Sequence, residues 1–261
     1  MGRHTQDHRL LRLDTPLGDD VLIPLSATGE EAISEAGWFS LEAFSESRHD
    51  LKPKDLIGKR VTFAIVQHDG SLRYLNGYVS ELTSSGRSHN GQRSHYQLRL
   101  QPWLFLLDKG SDCRIFQEQS VPDVLRKVFD DLNGKADCRF DLRRAHNPHR
   151  YLTQYNESNG NFMRRLLVLD GIGFFVEHSN GRHTVVFFDD PQALPALTPE
   201  PVLKLQSTAI SHDHLSRFTW HSEFATGQYT QRSYNYKTPD RILTGTAVAP
   251  AAVTALARAN Q

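Results

Sequence analysis

Residues 61–101 alternate in polarity with a period of two over successive runs, and no other feature constrains the fold of this chain as tightly. Val61, Phe63 and Ile65 interleave with Thr62, Ala64 and Val66, and Asp69-Gly70 then supplies a tight turn before a run over 72–82. Tyr96, Leu98 and Leu100 alternate with Gln97, Arg99 and Gln101, which gives one wet face and one buried face. The polar stretch 83–93 between these runs contains Gly86 and Asn90-Gly91 and reads as an exposed loop. A β-meander is predicted.

Helical spacing follows. Ser120 is a favourable N-cap with Asp123 three residues on, and Val121, Val124, Leu125, Val128, Phe129 and Leu132 share a stripe until Gly134 ends the run. A second helix is predicted over 159–170: Ser158 can cap it, Phe162, Met163, Leu166 and Leu167 share a face, and Gly171 suits the position just past its end. Strands return at 172–177 and 183–188 around Asn180-Gly181, a strong hairpin signal. Beyond a proline-rich connector at 191–201, residues 202–224 and 229–236 read as further strands, and the alanine-rich 247–259 as a helix or linker. The pattern predicts a strand-rich α+β protein with two helices set in its middle.

Composition removes several classes of function. A chain of 261 residues with 38% hydrophobic content can build one large or two modest cores. Its 30 Lys and Arg balance 30 Asp and Glu, which weighs against a broad nucleic-acid-binding face. Cys113 and Cys138 are too few for a disulfide framework and are expected to be unpaired, as in a chain folded in a reducing compartment. The first residues hold no apolar signal segment, and no apolar run approaches the length of a membrane span, so neither a signal peptide nor membrane insertion is indicated.

The motifs that could carry chemistry are incomplete. Gly86-Arg87-Ser88-His89-Asn90-Gly91 misplaces the second glycine of a nucleophile elbow, and Gly171-Ile172-Gly173 lacks the third glycine of a dinucleotide fingerprint and reads as a helix C-cap. His212 with His214, and His146 with His149, each supply at most two of the ligands a metal needs, so exposed or hydrogen-bonded histidines are expected. Asp130-Asp131 and Asp189-Asp190 are adjacent carboxylates that point apart, and solvated charge is the expectation for both. Trp103, inside an apolar run, is expected in the core. No catalytic, cofactor-binding or metal-binding residue is assigned.

Several segments, in order, resemble the VgrG family, the tip of the bacterial type VI secretion apparatus, which is related to the central hub of contractile phage tails. They are Leu56-Ile57-Gly58-Lys59, Arg73-Tyr74-Leu75-Asn76-Gly77-Tyr78-Val79, Tyr96-Gln97-Leu98-Arg99-Leu100-Gln101-Pro102-Trp103-Leu104 and Asp112-Cys113-Arg114-Ile115-Phe116-Gln117. Tyr151-Leu152-Thr153-Gln154-Tyr155-Asn156-Glu157-Ser158 and Phe162-Met163-Arg164-Arg165-Leu166-Leu167 continue the series up to Asp170-Gly171-Ile172, so that the resemblance covers roughly residues 9–240. Two departures leave the expected fold intact: Val168-Leu169-Asp170 stands where the family usually has an acidic run, and Gly173 where an aromatic is common.

The resemblance implies a phage tail hub-like fold with two tube-type β-barrel-like units, 1–107 and 108–245, the helices inserted in the second, and 246–261 a linker toward a spike region. It further implies a structural role without enzymatic activity or cofactor, in a homotrimer that joins the spike to the hexameric Hcp ring. Baseplate components, and effectors or a spike-tip protein, are the other implied partners, with no nucleic acid and no stable membrane insertion. Assembly in the cytoplasm and export through the type VI apparatus are expected. A contractile phage or tailocin hub, or a hub carrying an enzymatic effector module, shares the same architecture.

Overall fold

The computed structural model describes residues 4–46, 51–67, 69–88, 92–195, 204–205, 214–215, 217–219 and 226–248. The predicted meander is the middle of a larger sheet. Strands β1 (Leu11–Asp14), β2 (Ile23–Glu30), β3 (Trp38–Glu46), β4 (Arg60–Val66), β5 (Leu72–Arg87) and β6 (Arg93–Gln101) lie in the antiparallel order β1-β4-β5-β6-β3-β2. The two edge strands, β1 and β2, also touch each other, so the sheet curls toward closure. Leu41, Val61, Phe63, Leu75, Val79, Leu98 and Leu100 fill its interior.

The run 83–93 is not a loop over its whole length. β5 stays paired with β6 out to Arg87↔Ser94, with register shifts between Val79 and Glu81 and between Ser84 and Gly86. Gly86 takes φ 93° at the second shift. Two bulges thus keep a polar run hydrogen-bonded although its side chains are wet, a pairing that side-chain polarity does not announce.

A 3-10 turn over Trp103–Lys109 leads from the curled sheet into the predicted helical part. There β7 (Ser111–Gln119), α1 (Val121–Asp130), β8 (Cys138–Asp141), β9 (His149–Ser158), α2 (Asn159–Asp170), β10 (Gly173–Ser179) and β11 (Arg182–Phe188) follow one another. β7 and β9 form an antiparallel ribbon, while β10-β11-β8 is a three-stranded sheet with β8 parallel to β11.

Both predicted caps form: Ser120 Oγ accepts from the Asp123 N–H at 3.4 Å, and Ser158 Oγ from the Asn161 N–H at 3.1 Å. Gly171, at φ 64°, ends α2, and the Ile172 N–H donates back to the Leu167 carbonyl at 2.9 Å. Trp103 is fully buried, as expected, in a second core with Val124, Leu125, Phe129, Phe162, Leu166 and Phe187. The Gly173 departure has a steric reason, since a Cβ there would lie 2.7 Å from the ring of its cross-strand partner Phe188.

The chain divides into two compact units, the first formed by Met1–Leu203 with Ile210–Asp213 and the second by Lys204–Ala209 with His214–Gln261. In the second, β12 (Lys204–Leu205) runs parallel to β13 (His214–Leu215), and β14 (Gln228–Ser233) pairs antiparallel with β15 (Leu243–Val248). The strand expected at 229–236 is β14 as far as Ser233. Residues 247–248, expected to open a helix or linker, instead end β15. Most of 202–224, and 249–261, lie outside the described residues.

Candidate functional site

The first unit holds two polar constellations and one exposed apolar face. The larger constellation joins the curled sheet to the three-stranded sheet around Asn76, which β5 places with no exposure at all. Asn76 Nδ2 donates to the Val61 carbonyl at 3.2 Å and to Thr62 Oγ1 at 2.7 Å, while its Oδ1 lies 2.6 Å from His183 Nδ1 on β11. His183 Nε2 accepts the Trp103 N–H at 2.9 Å. A backbone N–H can only donate, so Nε2 presents its lone pair and Nδ1 carries the proton. Burial, helped by the neighbouring His178 and Arg60 and opposed by Asp137, pushes the His183 ring down to about 3, and it is neutral.

The same logic orients His178: Nδ1 accepts the Asn76 N–H at 3.1 Å, and Nε2 meets the Glu31 carboxylate at 2.9 Å. The Gly181 N–H donates to Thr62 Oγ1 at 3.1 Å, and the Ser34 N–H to the Phe174 carbonyl at 2.7 Å. Donors and acceptors are matched, and no nucleophile stands beside a base. Chemically this is a joint.

The second constellation pins residues 142–149. Asp189, at the end of β11, has a side chain with no exposure, which corrects the expectation of solvated charge. It accepts the backbone N–H groups of Arg143 and Arg144 at 2.9 and 2.8 Å and meets His146 Nε2 at 3.1 Å. Burial opposes its charge, but these donors and the Arg144 guanidinium outweigh it and hold the carboxyl down to about 2. His146 Nδ1 and His149 Nε2 lie 3.0 and 3.1 Å from the two oxygens of Asp170. The His146/His149 pair is therefore hydrogen-bonded, and among the described residues no group of His, Cys, Asp and Glu is arranged to hold a metal ion. Asp190 pairs with Arg143 at 2.9 Å and Asp131 with Arg114 at 2.6 Å, both near solvent.

Of the remaining candidates, Gly86 and Arg87 belong to β5, while residues 89–91, His212 and the side chain of His214 lie outside the described residues. Cys113 and Cys138 are free thiols, the first exposed. Burial and the charge of Asp137 push the Cys138 thiol up to about 11. No helix among the described residues is long and apolar enough to cross a membrane.

What sequence reasoning missed is the exposed apolar face. On the β7–β9 ribbon the pairs Cys113↔Tyr155, Ile115↔Thr153 and Gln117↔Tyr151 share the outer side, and Ile115, Tyr151 and Tyr155 are 64%, 58% and 79% exposed. The odd-even alternation of β9 held the signal, because Leu152 and Gln154 point inward and the two tyrosines must then point out.

Residues 30–260 match the family described as phage tail baseplate hub (GPD). The chain is 36% identical over 239 residues to the type VI secretion system spike protein VgrG1b of Pseudomonas aeruginosa, a match over 90% of this chain and 31% of that relative. It is 27% identical over 233 residues to the actin cross-linking toxin VgrG1 of Vibrio cholerae, covering 85% of this chain and 21% of the toxin. The chain thus spans about a third or less of the length of these curated relatives.

Among solved structures, an E. coli component of the type VI secretion system, described as similar to the T4 bacteriophage tail proteins gp27 and gp5, superposes with a TM-score of 0.63 at 21% identity. That match covers 87% of this chain and 56% of the other. A tail protein of Neisseria meningitidis gives 0.58 at 14% identity, over 93% of this chain and 68% of the other. These two likenesses concern the fold.

Proposed function

Since the chain belongs to the phage tail baseplate hub family, we propose that it is the structural hub of a type VI secretion tip, a trimeric adaptor between the Hcp inner tube and a membrane-puncturing spike. Similarity to VgrG1b over 90% of the chain supports the secretion setting.

The observation that carries the tube reading is the six-stranded antiparallel sheet, whose edge strands β1 and β2 touch so that it curls toward closure. With the family membership it supports one tube-like element within 1–107, and we put a second within 108–245, to which the β14–β15 hairpin would belong. Three such chains offer six quasi-equivalent positions, which suits a six-subunit Hcp ring. Assembly in the cytoplasm, export through the apparatus, delivery of effectors, and contacts with baseplate components belong to the same reading. The chain acts as a scaffold and not as a catalyst.

Electron microscopy of the chain mixed with Hcp rings tests the proposal. Rings stacked end-on against one face of the hub are expected, and complete absence of stacking at low and moderate salt would refute it. The likeness to the Neisseria tail protein favours a second reading, a phage or tailocin hub, in which the ring partner is a tail-tube protein instead.

A further inference from the structure

Asparagine followed by glycine occurs five times in the chain, at Asn76, Asn90, Asn133, Asn159 and Asn180, and a glycine leaves its backbone nitrogen unshielded toward the preceding side chain. Asn90-Gly91 lies outside the described residues. Three of the other four are locked. Asn76 is fully buried with its amide bonded to Val61, Thr62 and His183, while a Cβ at Gly77 would lie 3.0 Å from the Gln101 backbone. Asn159 opens α2, so any ring closed there must undo the first helical turn, and its Oδ1 is held by Arg114 at 2.6 Å and Gln154 at 2.9 Å. At Asn180 the following nitrogen is engaged, since the Gly181 N–H donates to Thr62 Oγ1 at 3.1 Å.

Asn133-Gly134 differs from all three. It forms the centre of a turn between α1 and β8, with φ 52° and 75° at the two residues, closed by the Lys135 N–H on the Leu132 carbonyl at 3.2 Å. The N–H of the third residue takes no part in such a turn, and among the described residues nothing accepts the Gly134 N–H or bonds the Asn133 amide. Both residues are exposed, and no atom beyond the chain neighbours lies within 4 Å of where a Gly134 Cβ would stand. Water reaches this step freely.

We propose that Asn133 is a site of spontaneous covalent modification, deamidation by the Gly134 nitrogen with water as the only co-reactant. The nitrogen loses its proton to a solvent base and bonds to the side-chain Cγ of Asn133, the Cγ–Nδ2 bond breaks, and ammonia leaves with protons taken from solvent. Water then opens the resulting succinimide. Opening at one carbonyl leaves aspartate and at the other isoaspartate, so one asparagine and one water give one acid and one ammonia. Each conversion sets a new negative charge beside Asp130 and Asp131 at the negative end of the α1 dipole, and isoaspartate lengthens the main chain inside the turn that leads from α1 toward β8.

The test ages the whole chain at mildly alkaline pH, in native buffer and in guanidinium, and follows each asparagine by peptide mapping with mass spectrometry. In native buffer Asn133 should convert roughly tenfold or more faster than Asn180, where one hydrogen bond must first open, and faster still than Asn76 and Asn159. In guanidinium the four rates should converge, because only the fold separates them. Thr62→Val removes the acceptor of the Gly181 N–H and should raise the Asn180 rate roughly tenfold with that of Asn133 unchanged. Asn133→Gln, whose longer side chain closes a larger ring more slowly, should remove the signal from its peptide.

An Asn133 that stays intact in native buffer over a period in which guanidinium converts it would overturn the assignment. So would four rates as alike in native buffer as in guanidinium, or an Asn180 that converts at least as fast as Asn133 in the folded wild type. Should Thr62→Val fail to fold by circular dichroism, the wild-type comparison between native buffer and guanidinium decides alone.

Discussion

Acidification should strike the joint around Asn76 before it touches the buried carboxylate. His183 is held neutral in the fold down to about 3, whereas an ordinary histidine titrates near 6.5. Below 6.5 the unfolded chain binds a proton that the folded chain refuses. Stability is therefore lost as pH falls through 6.5, and the loss levels off near 3.

Each pH unit inside that window costs about 1.4 kcal/mol for one proton, so the step from pH 7 to pH 5 should remove about 2 kcal/mol. Asp189 acts in a separate window: its stabilising charge is fully present above the ordinary value of 3.8 and is lost as pH falls toward about 2. The comparison is best made by urea unfolding at closely spaced pH values, followed by tryptophan fluorescence, in the wild type and in His183→Leu.

The variant leaves the Trp103 N–H and Asn76 Oδ1 without their partner and should lose roughly 2–4 kcal/mol at pH 7. Between pH 7 and 5 its stability should fall less steeply than that of the wild type, by about 1 kcal/mol per unit on average. Equal slopes in the two proteins would refute the neutral, buried ring and the tautomer assigned to it.

Two further outcomes follow from the geometry. Gly29→Ala should cost about 1–3 kcal/mol, because the new Cβ would lie 2.7 Å from the Trp38 carbonyl and 2.3 Å from the Phe39 ring, and thermal unfolding measures the loss. Asp189→Asn removes the charged acceptor from two backbone N–H groups, so hydrogen exchange at Arg143 and Arg144 should accelerate roughly tenfold or more while the amides of α1 keep their rates.

The parts legible in the sequence are those whose signals are local. Ser120 and Ser158 announce α1 and α2 within a few residues of the backbone groups they cap, and Asn180-Gly181 sits inside the hairpin it turns. The three strands β1 to β3 gave no comparable signal. β1 and β3 pair with distant partners, as in Leu13↔Phe63 and Phe39↔Leu100, while β2 pairs locally with β3 but the bulge between Pro24 and Ser26 breaks its alternation.

The burial of Asp189 is hidden from the sequence because the donors that offset it lie 43 to 46 residues away, on a segment whose own sequence reads as a polar turn. The role of His183 was equally hidden: its two partners, Trp103 and Asn76, are 80 and 107 residues distant. Inward-facing polar residues are identified by what folds against them, and periodicity records only that a position faces in.

The joint also bears on load. The curled sheet holds the three-stranded sheet through three separated stretches of chain: Ser34 on Phe174, Thr62 on Gly181, and Asn76 on His178 and His183. A force that slides one sheet over the other must stretch these bonds together, because on the side of the curled sheet they come from the β2–β3 connection, β4 and β5 and not from one strand that could peel. Shear is thus resisted in parallel while a bond-by-bond unzipping route is absent, so a push delivered to the helical part reaches the curled sheet as displacement of a stiff body.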